Sequence, residues 1–144
     1  MGLKVELKPG ERLILGDCLV TNGDQRARLH IEGQASILRE KDIMTAKEAD
    51  SPAKRIYFVV QLMYTSRDSA AHHDTYFALM RDLVQAAPSA WPHMVEISNH
   101  ILAGEMYKAL KSAKKLIAYE KELLDHASRG ESLRRGREPD RKSA

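Results

Sequence analysis

"SPAKRIYFVVQLMYT", residues 51–65, can be read as a helix or as a strand, and the two readings build different molecules. Ser51-Pro52 is a helix-start signal: a hydroxyl that can cap the first free N–H groups, then a ring with no N–H to leave unpaired. Ile56, Tyr57, Phe58, Val59 and Val60 pull the other way, because β-branched and aromatic side chains suit a pleated surface. As a helix the segment is apolar on nearly every side, which makes it central to a core or to a dimer contact. These residues alone leave the strand alternative open.

On the amino-terminal side, residues 3–43 alternate with period two between turn residues, the β pattern. In "LKVELK", Leu3, Val5 and Leu7 share one face and Lys4, Glu6 and Lys8 the other. Pro9-Gly10 turns the chain into "RLIL", and Gly16-Asp17 turns it into "CLVT". "NGDQ", residues 22–25, is a hairpin signal, since Asn-Gly tolerates positive φ. "RARLHIE" then puts Ala27, Leu29 and Ile31 inward and Arg26, Arg28, His30 and Glu32 outward, and Gly33-Gln34 leads into "ASILREK". About five short strands of this kind predict a small antiparallel sheet or barrel, too small for comfort without further packing.

On the carboxy-terminal side the period becomes helical. Residues 69–87 carry Tyr76, Leu79, Met80, Leu83 and Val84 on one stripe and stop at Pro88. From about Trp91 to His126 a further helical segment sets Met106, Leu110, Ala113, Ile117 and Leu124 on one seam, with Lys108, Lys111, Lys114 and Lys115 largely elsewhere. Gly104 is a kink point. Glu120 falls in the seam, which calls for a polar partner there or an end to the buried stripe. The fold class is therefore α+β: a β region over 1–44 and a helical region of three to four helices over 45–127, packed as one domain. A basic, mobile tail is expected over 128–144.

With 43% hydrophobic and 30% charged residues the chain has the composition of a globular protein, and its length suffices for a core without metals or disulfides. Its one cysteine, Cys18, excludes an intramolecular disulfide and reads as a small buried side chain. The first residues show neither a secretory signal nor a myristoylation signal, and "IYFVVQLMY" is about half a membrane span. A cytoplasmic protein with no membrane association is expected. The net charge of +3 sits wholly in the tail, where six cations face three anions, and residues 1–127 are formally neutral. A nucleic-acid site on the folded body must be a local patch.

No catalytic constellation stands out. His72 and His73 are adjacent and point about 100° apart on a helix, and His93 and His100 have no cysteine near them, so no metal site is expected. Glu96 and His100 read as an ordinary helical pair. "KPGERLILG" lacks the Gly-Lys-Ser/Thr ending of a phosphate loop, and no nucleophile elbow appears. Neither enzymatic activity nor a cofactor is predicted. What remains is a polar face with Arg26, Arg28 and His30 on one strand and Arg39 with Lys41 on another. Such cations blunt exposed sheet edges, or they track phosphates of single-stranded RNA, with guanidinium planes able to stack on bases.

"LKVELKPGERLIL", "ASILREKDIM", "PAKRIYFVVQLMY" and "ISNHILAGEMYKALKSAKKLIAYEKELL" together resemble the flagellum biosynthesis repressor family FlbT, in that order and to about Leu124. The resemblance implies a regulator of flagellar assembly that associates with the 5′ untranslated region of flagellin messenger RNA and promotes its degradation. "VELKPGERLILGD" and "ILREKDI" also resemble the first and last strands of the carbon storage regulator family of RNA-binding proteins. Gly10, Glu11, Gly16 and Asp17 match without a gap, and Arg39 matches the arginine those proteins use on RNA. In that family the RNA surface joins the first strand of one subunit to the last strand of its dimer mate. Only Lys8 and Arg39 carry over from its basic positions, because Leu7 stands at the other. Lys8, Arg26, Arg28, Arg39 and Lys41 are accordingly the RNA-binding candidates, with Glu40 and Asp42 expected on the opposite side of the last strand. The expected partners are a flagellin mRNA leader, a second copy in a dimer, and possibly flagellin or another flagellar regulator. A flagellin-binding adaptor or chaperone with a helical groove is the alternative, resting on the apolar surplus of residues 56–64 and 76–84.

Overall fold

The computed structural model describes the backbone of residues 2–136 and the side chains of residues 2–129. The fold is α+β, with five short strands followed by four α-helices. The strands β1 (Gly2–Leu7), β2 (Arg12–Leu15), β3 (Cys18–Thr21), β4 (Ala27–Glu32) and β5 (Ile37–Arg39) form two small antiparallel sheets rather than one. β1 pairs with β4, and β2 lies between β3 and β5.

The turns explain the split. Pro9 and Gly10 form a tight turn in which Glu11 N donates to Lys8 O at 3.0 Å, with Gly10 at φ 76°, where a side chain would be strained. Gly16, at φ 63°, opens the two-residue turn of the β2–β3 hairpin. Asn22-Gly23 does not make the hairpin its sequence suggests, and neither residue has positive φ. Instead the Asn22 amide donates to the carbonyls of Lys8 and Gln25, both at 2.8 Å, and of Leu7 at 3.2 Å. Its backbone N–H donates to Glu11 O, and Gly10 N donates to Gly23 O. One asparagine thus ties this segment to the turn after β1, and the chain crosses to pair β4 with β1.

Val5, Leu7 and Leu13 are buried between these sheets, with Val20, Leu29, Ile31 and Ile37 half-buried around them. Alternation in β5 splits its side chains: Ile37 packs on this cluster, whereas Leu38 enters the helical core. Cys18, expected inside, is exposed because it flanks the hairpin turn.

Residues 52–65 form a helix, α1 (Pro52–Thr65), and the strand alternative falls away. Ser51 Oγ accepts from Lys54 N at 3.2 Å, and Ile56, Tyr57, Val59, Val60 and Met63 are buried. Sequence-local β preference yields here to burial on several sides at once. Buried Gln61 accepts from Met44 N and donates to Met44 O, at 2.8 and 2.9 Å, pinning the connection to β5. α2 (His73–Ala86) buries Tyr76, Met80 and Leu83 and ends before Pro88.

The expected kink at Gly104 is a complete break between α3 (Trp91–Leu102) and α4 (Met106–Gly136). Gly104 has φ 77°; its N–H donates to Ile101 O and that of Glu105 to His100 O, the paired bonds of a Schellman stop. The two helices fold back as a hairpin. His100 therefore bonds Glu105 at 3.2 Å and not Glu96, whose carboxylate instead accepts from Ser112 across the hairpin. Glu120 has found its partner group: Oε1 accepts from Ser51 Oγ at 2.6 Å and Oε2 from Ala53 N at 2.9 Å, so it helps cap α1. Beyond it Leu124 is exposed, and the buried seam ends. α4 passes residue 128 unbroken to Gly136; the remainder of the basic segment, 137–144, lies outside the described residues. No helix among the described residues is long and apolar enough to cross a membrane.

Candidate functional site

All five candidate cations are exposed, but they fall into separate groups. Arg26 and Arg28 flank Glu6 of the neighbouring strand, with Nη1 of Arg26 at 3.9 Å and Nη2 of Arg28 at 3.1 Å from its carboxylate oxygens. The register sets Arg28 directly opposite Glu6, so one carboxylate offsets part of this pair. Lys8 stands at the turn after β1, in a recess shared with Arg12 and Lys41. Glu11, Glu40 and Glu48 also line that recess, and its formal charges balance.

Arg39 and Lys41 share a second cleft of about 440 Å³ with Ile37, Asp42, Tyr64 and Tyr107. Lys41 lines both recesses and links them. Neither Arg39 nor Lys41 forms an ion pair among the described residues. The two do not alternate along one strand, however. β5 stops at Arg39 and residues 40–42 form a 3-10 turn, which advances about 120° per residue instead of reversing faces. The anions consequently do not share an opposite face. Glu40 accepts from Arg12 N at 3.0 Å and Nε at 3.1 Å, and those hydrogen bonds hold its carboxyl below the usual range. Asp42 is buried, its carboxylate paired with Lys114 of α4, and its carbonyl accepts from the Tyr57 hydroxyl. The charge of Asp42 is thus matched by Lys114, so within this cleft Arg39 and Lys41 have no ion-pair partner among the described residues, although Lys41 also borders the carboxylates of the first recess.

Helices supply what the strands lack. The Tyr64 hydroxyl accepts from Ile37 N at 3.2 Å and donates to Ile37 O at 3.0 Å, covering the free edge of β5 and fixing the ring. Burial pushes its pKa up. The Tyr107 ring lies 5.7 Å from that of Tyr64, tilted by 46°, and Tyr107 remains 44% exposed. Lys111 Nζ stands 5.0 Å from the Tyr107 centroid, a cation–π contact. Lys108, Lys114 and Lys115 each pair with a carboxylate, of Glu105, Asp42 and Glu96 respectively, while Lys111 pairs with none among the described residues. Tyr64, Tyr107 and Lys111 are the members that reading along the sequence missed. The spacing of Tyr107, Lys111 and Lys114 at i, i+4 and i+7 was the available signal for one face of α4.

The arrangement sets exposed cations beside an aromatic face. Among the described residues no group of three or more histidine, cysteine or carboxylate side chains could hold a metal.

Comparison with known proteins adds the family. The profile described as flagellar protein FlbT matches residues 3–124. The chain is 57% identical over 124 residues to the probable flagellum biosynthesis repressor protein FlbT 1 of Bradyrhizobium diazoefficiens, covering 85% of each chain. It is 48% identical to the probable flagellum biosynthesis repressor protein FlbT of Rhodopseudomonas palustris, over 86% of this chain and 98% of the relative. With the flagellum biosynthesis repressor protein FlbT of Caulobacter vibrioides it shares 42% identity over 135 residues, 92% of this chain and 96% of the other. No solved structure matches it.

Proposed function

This chain belongs to the FlbT family of flagellar proteins, and from that membership we propose that it is a cytoplasmic post-transcriptional repressor of flagellin synthesis. In this reading it binds the 5′ untranslated region of flagellin mRNA and promotes its degradation, so regulating flagellum assembly. It is a regulator and not an enzyme. The names of its relatives support the repressor role. The observation that carries the RNA part is the cleft between β5 and α4, where exposed Arg39 and Lys41 have no carboxylate partners among the described residues. Lys8, Arg26 and Arg28 extend the contact along neighbouring surfaces. A second copy of the chain remains part of the reading, as the carbon storage regulator likeness implies.

The adaptor alternative rests on the apolar surplus of residues 56–64 and 76–84, of which Ile56, Val60, Met63, Tyr76, Met80 and Leu83 are buried in the helical core.

The test is binding of a labelled flagellin leader RNA to the double variant Arg39→Ala, Lys41→Ala. Loss of two phosphate contacts should weaken binding and reduce the slope of log affinity against log salt by about 1.4. A folded variant with unchanged affinity and unchanged slope would remove the cleft from the RNA surface.

A further inference from the structure

Resting on that RNA-binding reading, we propose that the cleft between β5 and α4 is a base-stacking pocket that selects single-stranded RNA. One unpaired base stacks on Tyr107, and Arg39, Lys41 and Lys111 hold the flanking phosphates. Of the three recesses that hold the candidate cations, this one alone has aromatic walls: the Arg26–Arg28 recess has none, and the Lys8 recess carries three carboxylates. The adjoining recess that reaches the same two rings carries Lys108, which is paired with Glu105. At about 440 Å³ it has room for a nucleotide's base, not for a duplex.

The geometry gives each side chain a task. Tyr64 cannot swing freely, because its hydroxyl is bonded to both the N–H and the C=O of Ile37. It therefore backs Tyr107 with a fixed ring at 5.7 Å. Tyr107 is the exposed partner of that pair, and the ammonium of Lys111 at its ring marks a surface that attracts cationic and planar groups. Lys111 stands on a flexible stem with no carboxylate paired to it among the described residues, so it can leave the ring to a base and move to a phosphate. Arg39 and Lys41, across the cleft, are placed for the same backbone. Bases in a duplex already stack on one another and present no free face, so the pocket discriminates by strandedness.

The experiment uses the full chain, a short single-stranded oligonucleotide from a flagellin leader carrying 2-aminopurine, and the same sequence as a blunt duplex. The unaltered protein should favour the single strand and quench the 2-aminopurine. Tyr107→Ala should weaken single-strand binding about five-fold to a hundred-fold and abolish the quench, leaving duplex binding unchanged. Tyr107→Phe should behave like the unaltered protein, because stacking needs the ring and not the hydroxyl. If Tyr107→Ala fails to fold, Tyr107→Leu keeps apolar bulk against Tyr64 and should show the same loss. A folded Tyr107 variant that binds the single strand normally, while Arg39→Ala, Lys41→Ala binds poorly, would overturn the pocket and leave the RNA-binding reading intact. Absence of RNA binding by the unaltered protein would overturn both.

Discussion

Val5, Leu7 and Leu13 are the whole buried core between the sheets among the described residues, whereas the helices bury a continuous cluster from Ile56 and Met80 to Ile97 and Leu116. The strands are short and turn outward a row of charges. The helices bury Tyr57 and Tyr76 inside and leave Tyr107 exposed at the cleft. The candidate site lies where the two meet: β5 brings Arg39, the 3-10 turn brings Lys41, and α1 and α4 bring Tyr64 and Tyr107. A thin sheet alone could display cations but could not hold an aromatic wall beside them. The thick half provides the rigid support, and the thin half provides the reach.

The largest effect expected from this contrast is on stability. Ile56→Ala empties a fully buried place in the helical core and should cost roughly 2–5 kcal/mol, read from urea unfolding. Val5→Ala removes two methyl groups from the smaller cluster and should cost about 1.5 kcal/mol. Equal losses from both would mean that the β half is as strongly held as the helices.

Next comes the tie between the halves. Lys114→Ala leaves the Asp42 carboxylate, whose side chain is 10% exposed, without its cation and should cost about 1–3 kcal/mol. Asp42→Asn in the same background should recover part of that loss. If the two changes simply add, Lys114 and Asp42 do not act as a pair.

The smallest effect concerns acid. Glu40, Glu48, Glu96 and Glu105 have pKa values held down chiefly by hydrogen bonds from Arg12, Thr45, Ser112 and Lys108 respectively. The unfolded chain then takes up protons first as pH falls below 4.5, the ordinary glutamate value. Their contribution is complete above 4.5 and is lost as pH drops through the depressed folded values. Urea midpoints measured against pH should decline over that range. Arg12→Ala should flatten part of the decline, and an unchanged profile would show that the Arg12–Glu40 contact has no share in it.

Much of the architecture was legible along the chain. Ser51-Pro52 announced α1, the stripe through Tyr76 and Met80 announced α2, and Gly10 and Gly16 sit in the turns their neighbours imply. Misreadings arose where a side chain reached across the fold. Asn22-Gly23 has the composition of a hairpin turn, yet the Asn22 amide serves carbonyls at the end of β1, fourteen and fifteen residues back along the chain. Gly104 was visible as an irregularity, but whether it kinks or reverses the helix depends on what α4 can pack against. The exposure of Arg39 and Lys41 could be read from charge alternation; their separation from Arg26 and Arg28 could not.

Most element types, the turns at Gly10 and Gly16 and the choice of exposed cations follow from short-range rules: side-chain period, capping and permitted φ act between residues a few places apart. The helical state of α1 needed burial on several sides to decide it. The pairing of β1 with β4, the ion pair of Asp42 with Lys114 and the meeting of Tyr64 with Tyr107 obey no such rule. The strand pairing follows the Asn22 ties to the turn after β1; the other two arise because burying the apolar faces of α1 and α4 against each other carries distant residues to one place, and the cleft exists only once that packing is complete.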